Sequence, residues 1–362
     1  MRRRTGIIGA AVGVAAAAAG AALIADRKVG AARRTGQATQ TDFQPPAPDR
    51  VGTVLTGDGV PLYYEDNGPL DASVTVVAVH GFCLNRDDFL FQRRAVVATY
   101  GTQARFIGYD HRSHGRSGRG RSQTATIDQL GEDLATVLTE LVPSGRIVLI
   151  GHSMGGMTIM ALADRHPELF AGDGRVSGVI LLDTSTGRMG EVTLGLPAIL
   201  ARGGVVLPTV MKGMQRQKVI VEKGRSQAGD IMWVFIRRVA FGGPVEPGLV
   251  EFVAQMIAAT PVDVIADFYP ALINHDKLKA LGTLRDTDVV IICGEKDVIT
   301  PPEHSQTMAE NLPNAQLVLI PDAGHQAMME RPELVNGPLL NLVDSALSAA
   351  PLRRRRVRRV RS

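Results

Sequence analysis

The chain has little aromatic content and almost no cysteine. Of its 362 residues, ten are Phe, five Tyr and one Trp, and only two are Cys. Two cysteines leave no basis for a disulfide framework or a thiolate metal cage. Cys83 and Cys293 each fall beside an expected core strand and read as small buried thiols. With 45% hydrophobic and 21% charged residues, the composition also excludes a disordered or collagenous chain. What is present is enough apolar sequence to bury a large core, as one α/β domain with or without a smaller companion.

The net charge of +4 averages unlike parts. Residues 1–34 hold seven bases and the single acid Asp26, and residues 353–362 hold seven Arg and no acid. Of 40 bases and 36 acids these ends take 14 and one, so the middle carries 26 bases against 35 acids. The body is acidic and its ends are basic, so the overall balance is no argument for nucleic-acid binding. The tail has no aromatic interleaving, and the chain carries no nucleic-acid fold signature.

Arg2–Arg4 precede an uncharged stretch, Thr5–Ala25, followed by Asp26, Arg27 and Lys28. As a helix that stretch spans about 30 Å, enough to cross a bilayer core, and it exceeds the roughly 7–15 apolar residues of a cleaved signal. Segment 1–35 therefore reads as an N-terminal anchor, with a cleaved export signal as the other reading, and either implies a membrane-anchored or exported protein of the cell envelope. Bases flank both sides almost equally, which leaves orientation open. The Arg-rich tail, 351–362, is read either as a contact for anionic lipid headgroups or as a solvated terminus.

Residues 36–49 form a polar, Pro-broken linker. Two strands follow, Val51–Thr56 and Val60–Glu65, joined across Gly57-Asp58-Gly59 as a hairpin. Then come short runs too apolar for one-sided burial: Val74–Val79, Ala104–Tyr109, Arg146–Ile150, Val176–Leu182, Val289–Cys293 and Gln316–Ile320. Parallel strands covered on both faces require such runs. Helical stretches separate most of them, near Asp87–Thr99, Ile127–Leu141, Met154–Arg165, Glu303–Asn311 and Pro338–Ala349. The pattern predicts a mostly parallel, doubly wound α/β sheet built from 50–184 and 286–350. Residues 185–285 interrupt it and hold Trp233 and several Met, with amphipathic segments at Asp230–Ala240 and Leu249–Ala259. They predict an inserted helical lid, adaptable to an apolar substrate, although most of its Met residues are expected to pack the lid itself.

Gly151-His152-Ser153-Met154-Gly155-Gly156 directly follows a strand and opens a helix. Such a G-x-S-x-G turn is tight enough to require small neighbours, and it holds the serine out beside a helix N-terminus that favours developing negative charge. A serine hydroxyl needs a base to take its proton. His325, in Pro321-Asp322-Ala323-Gly324-His325, follows the last strand, and Asp297, in Gly294-Glu295-Lys296-Asp297, follows the strand before it. The order Ser153, Asp297, His325 is that of an α/β-hydrolase triad. Asp183 is a fallback acid. Two amides are expected to hold the oxyanion: Met154, after the nucleophile, and Phe82, in the His80-Gly81-Phe82 loop. His80 is expected to tie that loop down. His111, His114, His166, His275 and His304 read as structural, and Glu295, Asp322 and Glu330 as surface or supporting groups.

These motifs, with Tyr109-Asp110-His111-Arg112-Ser113-His114-Gly115-Arg116-Ser117, resemble the α/β-hydrolase fold superfamily over residues 50–347, in its lid-bearing esterase and cofactor-free haloperoxidase-like branch. Ser113 stands where relatives usually carry Gly, so a slightly different turn is expected there. The resemblance implies a cofactor-free serine hydrolase that cleaves a small-molecule carboxylic ester through an acyl-enzyme, and the Met-rich lid points to an apolar acyl group. The same triad also serves perhydrolases, thioesterases, lactonases and C–C bond hydrolases. Epoxide hydrolases and haloalkane dehalogenases of this fold use an Asp nucleophile, and Ser153 excludes them. A triad-bearing ligand receptor is the reading from a different class.

Overall fold

The computed structural model describes residues 41–172, 174–191 and 229–349. Residues 5–25, the Arg tail, and Met211 and Met214 of the lid lie outside the described residues. Among the described residues no single helix is long and apolar enough to cross a membrane.

Eight strands form one sheet: β1 (Arg50–Leu55), β2 (Pro61–Asn67), β3 (Val74–Val79), β4 (Ala104–Tyr109), β5 (Arg146–His152), β6 (Val176–Leu182), β7 (Asp288–Gly294) and β8 (Gln316–Ile320). Their order is β1-β2-β4-β3-β5-β6-β7-β8. The hairpin β1–β2 is antiparallel, and β2 pairs antiparallel with β4. Every other pairing is parallel.

The near-continuous apolar runs are explained by burial on both faces. Along β3, Val74, Val76 and Ala78 enter one core cluster while Val77 and Val79 enter another, as the two-residue period of a strand dictates. Helices α1 (Leu90–Tyr100) and α9 (Pro332–Ser348) cover the first face through Val96, Leu339 and Val343. Helices α2 (Ile127–Leu141), α3 (Met154–Arg165) and α7 (Pro302–Asn311) cover the second through Leu134, Ile159 and Met308.

Among the described residues between β6 and β7 stand helices α4 (Gly229–Ala240), α5 (Pro247–Ala259) and α6 (Val262–Ile273), with 3-10 turns at Met189–Glu191 and Leu278–Leu284. A 94° bend separates α5 from α6. Ile236, Val250, Val253 and Met256 of this insertion bury into the first core cluster. Met256 thus packs into the core cluster shared with the sheet rather than into a core of the lid's own. A one-turn helix, α8 (Ala327–Glu330), follows β8.

Candidate active site

The groups singled out in the sequence collect at one edge of the sheet, because β3, β5, β6, β7 and β8 are parallel and the loops after all five leave from their C-terminal ends. Ser153 joins β5 to α3 with φ 52° and ψ −116°. A non-glycine residue in that region costs about 1–3 kcal/mol and persists only where its surroundings impose it. Here its N–H donates to the Leu182 carbonyl at 3.0 Å, and its carbonyl accepts the Thr184 hydroxyl at 2.6 Å. The flanking glycines are required. A β-carbon on Gly151 would lie 2.6 Å from the Gly155 carbonyl oxygen, and one on Gly156 would lie 2.6 Å from the Thr184 side chain.

Asp297 and His325 are brought together: His325 Nδ1 lies 2.8 Å from Asp297 Oδ2, with both residues buried. The carboxylate is held by its own loop. Oδ1 accepts the amides of Ile299 at 2.7 Å and Thr300 at 3.0 Å, and Oδ2 accepts the Thr300 hydroxyl at 2.7 Å. Four donors to one buried carboxylate fix both its position and the orientation of the ring it faces.

Asp183 does not take that role. Its Oδ1 accepts the Gly294 amide at 2.8 Å and its Oδ2 the Ala327 amide at 3.2 Å, so it stitches the ends of β6 and β7 to α8. Full burial, and next the charge of Asp297, push its carboxyl well above the usual range. Asp183, Cys293 and Asp297 offer ligand atoms within 4.8 Å of one another. The donors just described already occupy both carboxylates, and burial pushes the Cys293 thiol up, away from the thiolate that a metal needs. The two cysteines are free and buried.

Met154 opens α3, and the first amides of a helix have no acceptor within it. Phe82 follows Gly81, whose N–H donates to Asp88 Oδ2 at 3.2 Å. His80 ties this loop down as expected. Its Nδ1–H donates to the Gly81 carbonyl at 2.7 Å, and its Nε2 accepts the His111 amide at 2.9 Å. Phe82 packs with Met154, Met157, Val264 and Phe268, an apolar wall between the elbow and lid helix α6.

The remaining histidines are structural, several of them more deeply placed than the sequence indicated. His111 and His114 are buried against His80, with ring centroids 4.4 and 5.6 Å from it. Burial first, and then the neighbouring rings, push His114 down to about 3 and His111 well below its ordinary value. His275 donates to the Ser185 carbonyl at 3.1 Å, and His304 Nδ1 lies 2.5 Å from the Ser185 hydroxyl. His166 meets Glu132 at 3.1 Å. Glu295 and Asp322 are exposed. Glu330 is buried and accepts the amides of Gly242, Gly243 and Gly324, tying the end of α4 to the His325 loop. Ser113, at the position where relatives usually carry Gly, adopts φ 68°, the left-handed region that favours glycine.

Three residues carry structure here that sequence reasoning missed: Asp88, His152 and Thr300. Thr300 had a local signal, since it lies three residues after Asp297. An open cleft of about 680 Å³ lies elsewhere, between the start of α2 and α6, lined by Thr126, Asp128, Tyr269, Asn274 and Lys277. None of Ser153, Asp297 and His325 lines it.

Residues 76–337 match the model of the alpha/beta hydrolase family, and the chain belongs to that family. It is similar to a non-heme chloroperoxidase of Streptomyces lividans, 28% identical over 303 residues, which are 82% of this chain and the whole of that one. Among solved structures it is similar to a thermophilic esterase from Thermogutta terrifontis, with 26% identity and a TM-score of 0.61, over 83% of this chain and all of that one. The esterase RhEst1 from Rhodococcus sp. ECU1013 shares the fold at 20% identity, with a TM-score of 0.64 over 82% of this chain and 99% of its own.

Proposed function

We propose that the protein is a serine hydrolase that cleaves a small, apolar carboxylic ester through an acyl-enzyme. The observation that carries the reading is the buried Asp297–His325 pair, whose His325 carbonyl lies 2.8 Å from His152, the residue before a serine held at a strained elbow. Ser153 Oγ attacks the ester carbonyl as His325 Nε2 takes its proton, and Asp297 stabilises the resulting imidazolium. The amides of Met154 and Phe82 hold the oxyanion. His325 then returns the proton to the leaving alcohol and activates the water that releases the acid. The wall of Phe82, Met154, Met157, Val264 and Phe268 supports an apolar acyl group.

The test is hydrolysis of p-nitrophenyl esters of graded chain length by wild type and Ser153→Ala, with fluorophosphonate labelling of Ser153. An unchanged rate in the variant overturns the mechanism, and activity falling steadily from acetate upward overturns the apolar substrate. Failure of the folded protein to label favours the ligand-receptor reading instead. Likeness to the chloroperoxidase favours one second reading: peroxide in place of water would carry the same acyl group away as a peracid. A peroxide-dependent halogenation assay separates the two. The base-flanked uncharged stretch 5–25 and the Arg tail 351–362 support a place at the cell envelope. Fractionating cells that express the chain with and without residues 1–34 tests it.

A further inference from the structure

His152, the residue before the serine, is fully buried, and both of its ring nitrogens face oxygens. Nδ1 lies 2.7 Å from Asp88 Oδ2, and Nε2 lies 2.8 Å from the backbone carbonyl of His325. A carbonyl can only accept, so Nε2 carries a proton, and an ionised carboxylate likewise requires one on Nδ1. The same Asp88 oxygen accepts the Gly81 amide at 3.2 Å. The ring lies so close to that loop that a β-carbon on Gly81 would stand 2.7 Å from His152 Nδ1. One buried pair therefore touches the Phe82 loop, the nucleophile elbow and the backbone of the candidate base.

We propose that His152 is a positioning residue, held as a doubly protonated imidazolium by Asp88, which sets the oxyanion loop and the His325 backbone in register with Ser153. The groups facing it are Asp88 in the 3-10 turn Arg86–Phe89, His325 after β8, Asp183 at the end of β6 and His80 at the end of β3. Burial opposes the charge, but Asp88 outweighs it through its charge and its hydrogen bond and raises the ring's pKa. His80 adds no competing charge, because burial pushes it down to about 4. The role deepens the ester-hydrolase reading and rests on it for its kinetic consequence.

Nitrogen-15 spectra of the histidine rings in the full-length protein test the charge without any substrate. Both nitrogens of His152 are expected to be protonated from pH 6 to 8, with the signal assigned by its loss in His152→Gln. A ring with one bare nitrogen at pH 8 overturns the proposal. Fluorophosphonate labelling of Ser153 tests positioning without an ester, and is expected to slow about 10- to 100-fold in folded His152→Gln, the scale of a small misplacement. With an ester substrate, kcat falls similarly and KM changes less than about threefold, as expected for geometry that matters in the transition state. The acid limb of kcat/KM moves to higher pH, because a cation whose ring centroid lies 4.8 Å from that of His325 has been removed. Wild-type labelling and an unmoved pH profile in the folded variant overturn the proposal. If that variant does not fold, the wild-type ring spectrum decides, assigned through Asp88→Asn. Should both proteins label yet cleave no ester, the ester reading fails and the positioning role is judged on labelling alone.

Discussion

Gly155, the second residue of α3, presses on Val79 so closely that a β-carbon would overlap the Val79 carbonyl oxygen. Neither partner has room to yield, since one is the first turn behind the elbow and the other the end of a central strand. Gly155→Ala is expected to lose soluble, active protein, or to lower the melting temperature by well over 5 °C. Gly57→Ala is the control, because nothing lies within 4 Å of its position and its φ is unstrained. That variant is expected to melt within about 2 °C of wild type, as surface changes away from special features do.

Thr300 bonds the same Asp297 oxygen that faces His325. Thr300→Val keeps the shape and both backbone amides to Asp297 Oδ1 while removing one donor to a charged acceptor, a bond of about 1.5–3 kcal/mol. Steady-state kinetics are expected to show a several-fold loss of kcat with little change in KM. Asp297→Asn is expected to lose about 10⁴ in kcat, because the amide admits the wrong imidazole tautomer. Equal effects from the two substitutions would overturn the assignment of Asp297.

Much of this fold is legible in the sequence. Strands β3, β4, β6 and β8 and helices α2 and α3 keep the boundaries expected of them, because unbroken apolar runs and capping residues such as Thr126 are local signals. Helix α9 starts six residues earlier than expected. Pro338 reads as a helix start, yet Pro332 occupies that place and Pro338 lies inside the helix. Helix α6 was missed altogether, since its internal Pro270 breaks the pattern that identifies a helix. Ser153, Asp297 and His325 are visible through motif and order. The Asp88–His152 pair is not, for its members lie 64 residues apart and only the parallel pairing of β3 with β5 brings their loops together.

Asp183 makes stability depend on pH in a direction opposite to that of most carboxylates. Its pKa is raised in the folded protein, first by burial and then by Asp297. The stabilisation it gives is complete below the unfolded value near 3.9 and is lost as the pH climbs through the folded value. Asp183→Asn cannot ionise, and it turns an amide group toward a backbone donor, so it starts less stable. The gap in melting temperature between wild type and variant is expected to narrow as the pH rises from about 4 to 8. A gap that widens would mean that Asp183 is ionised and serves as a paired acid.

Four buried histidines act the other way. Burial holds His80 and His275 near 4, His114 near 3 and His111 well below its ordinary value. In the unfolded chain each titrates near 6.5, so each contributes stability that is present above that pH and is lost as the pH falls toward its folded value. Each is worth up to about 1.4 kcal/mol per pH unit in that window, while Asp183, with its pKa raised, acts in the opposite direction. His152 is already protonated in both states below 6.5 and adds no slope there. Urea unfolding at pH 7.5, 6.5 and 5.5 is therefore expected to show little change over the first step and a steep loss over the second. His114→Phe keeps the ring packing on Phe82 and Phe268 but removes one proton-binding site. Its slope below pH 6.5 is expected to be shallower by about one proton, and a slope equal to wild type would mean that His114 titrates normally in the folded protein.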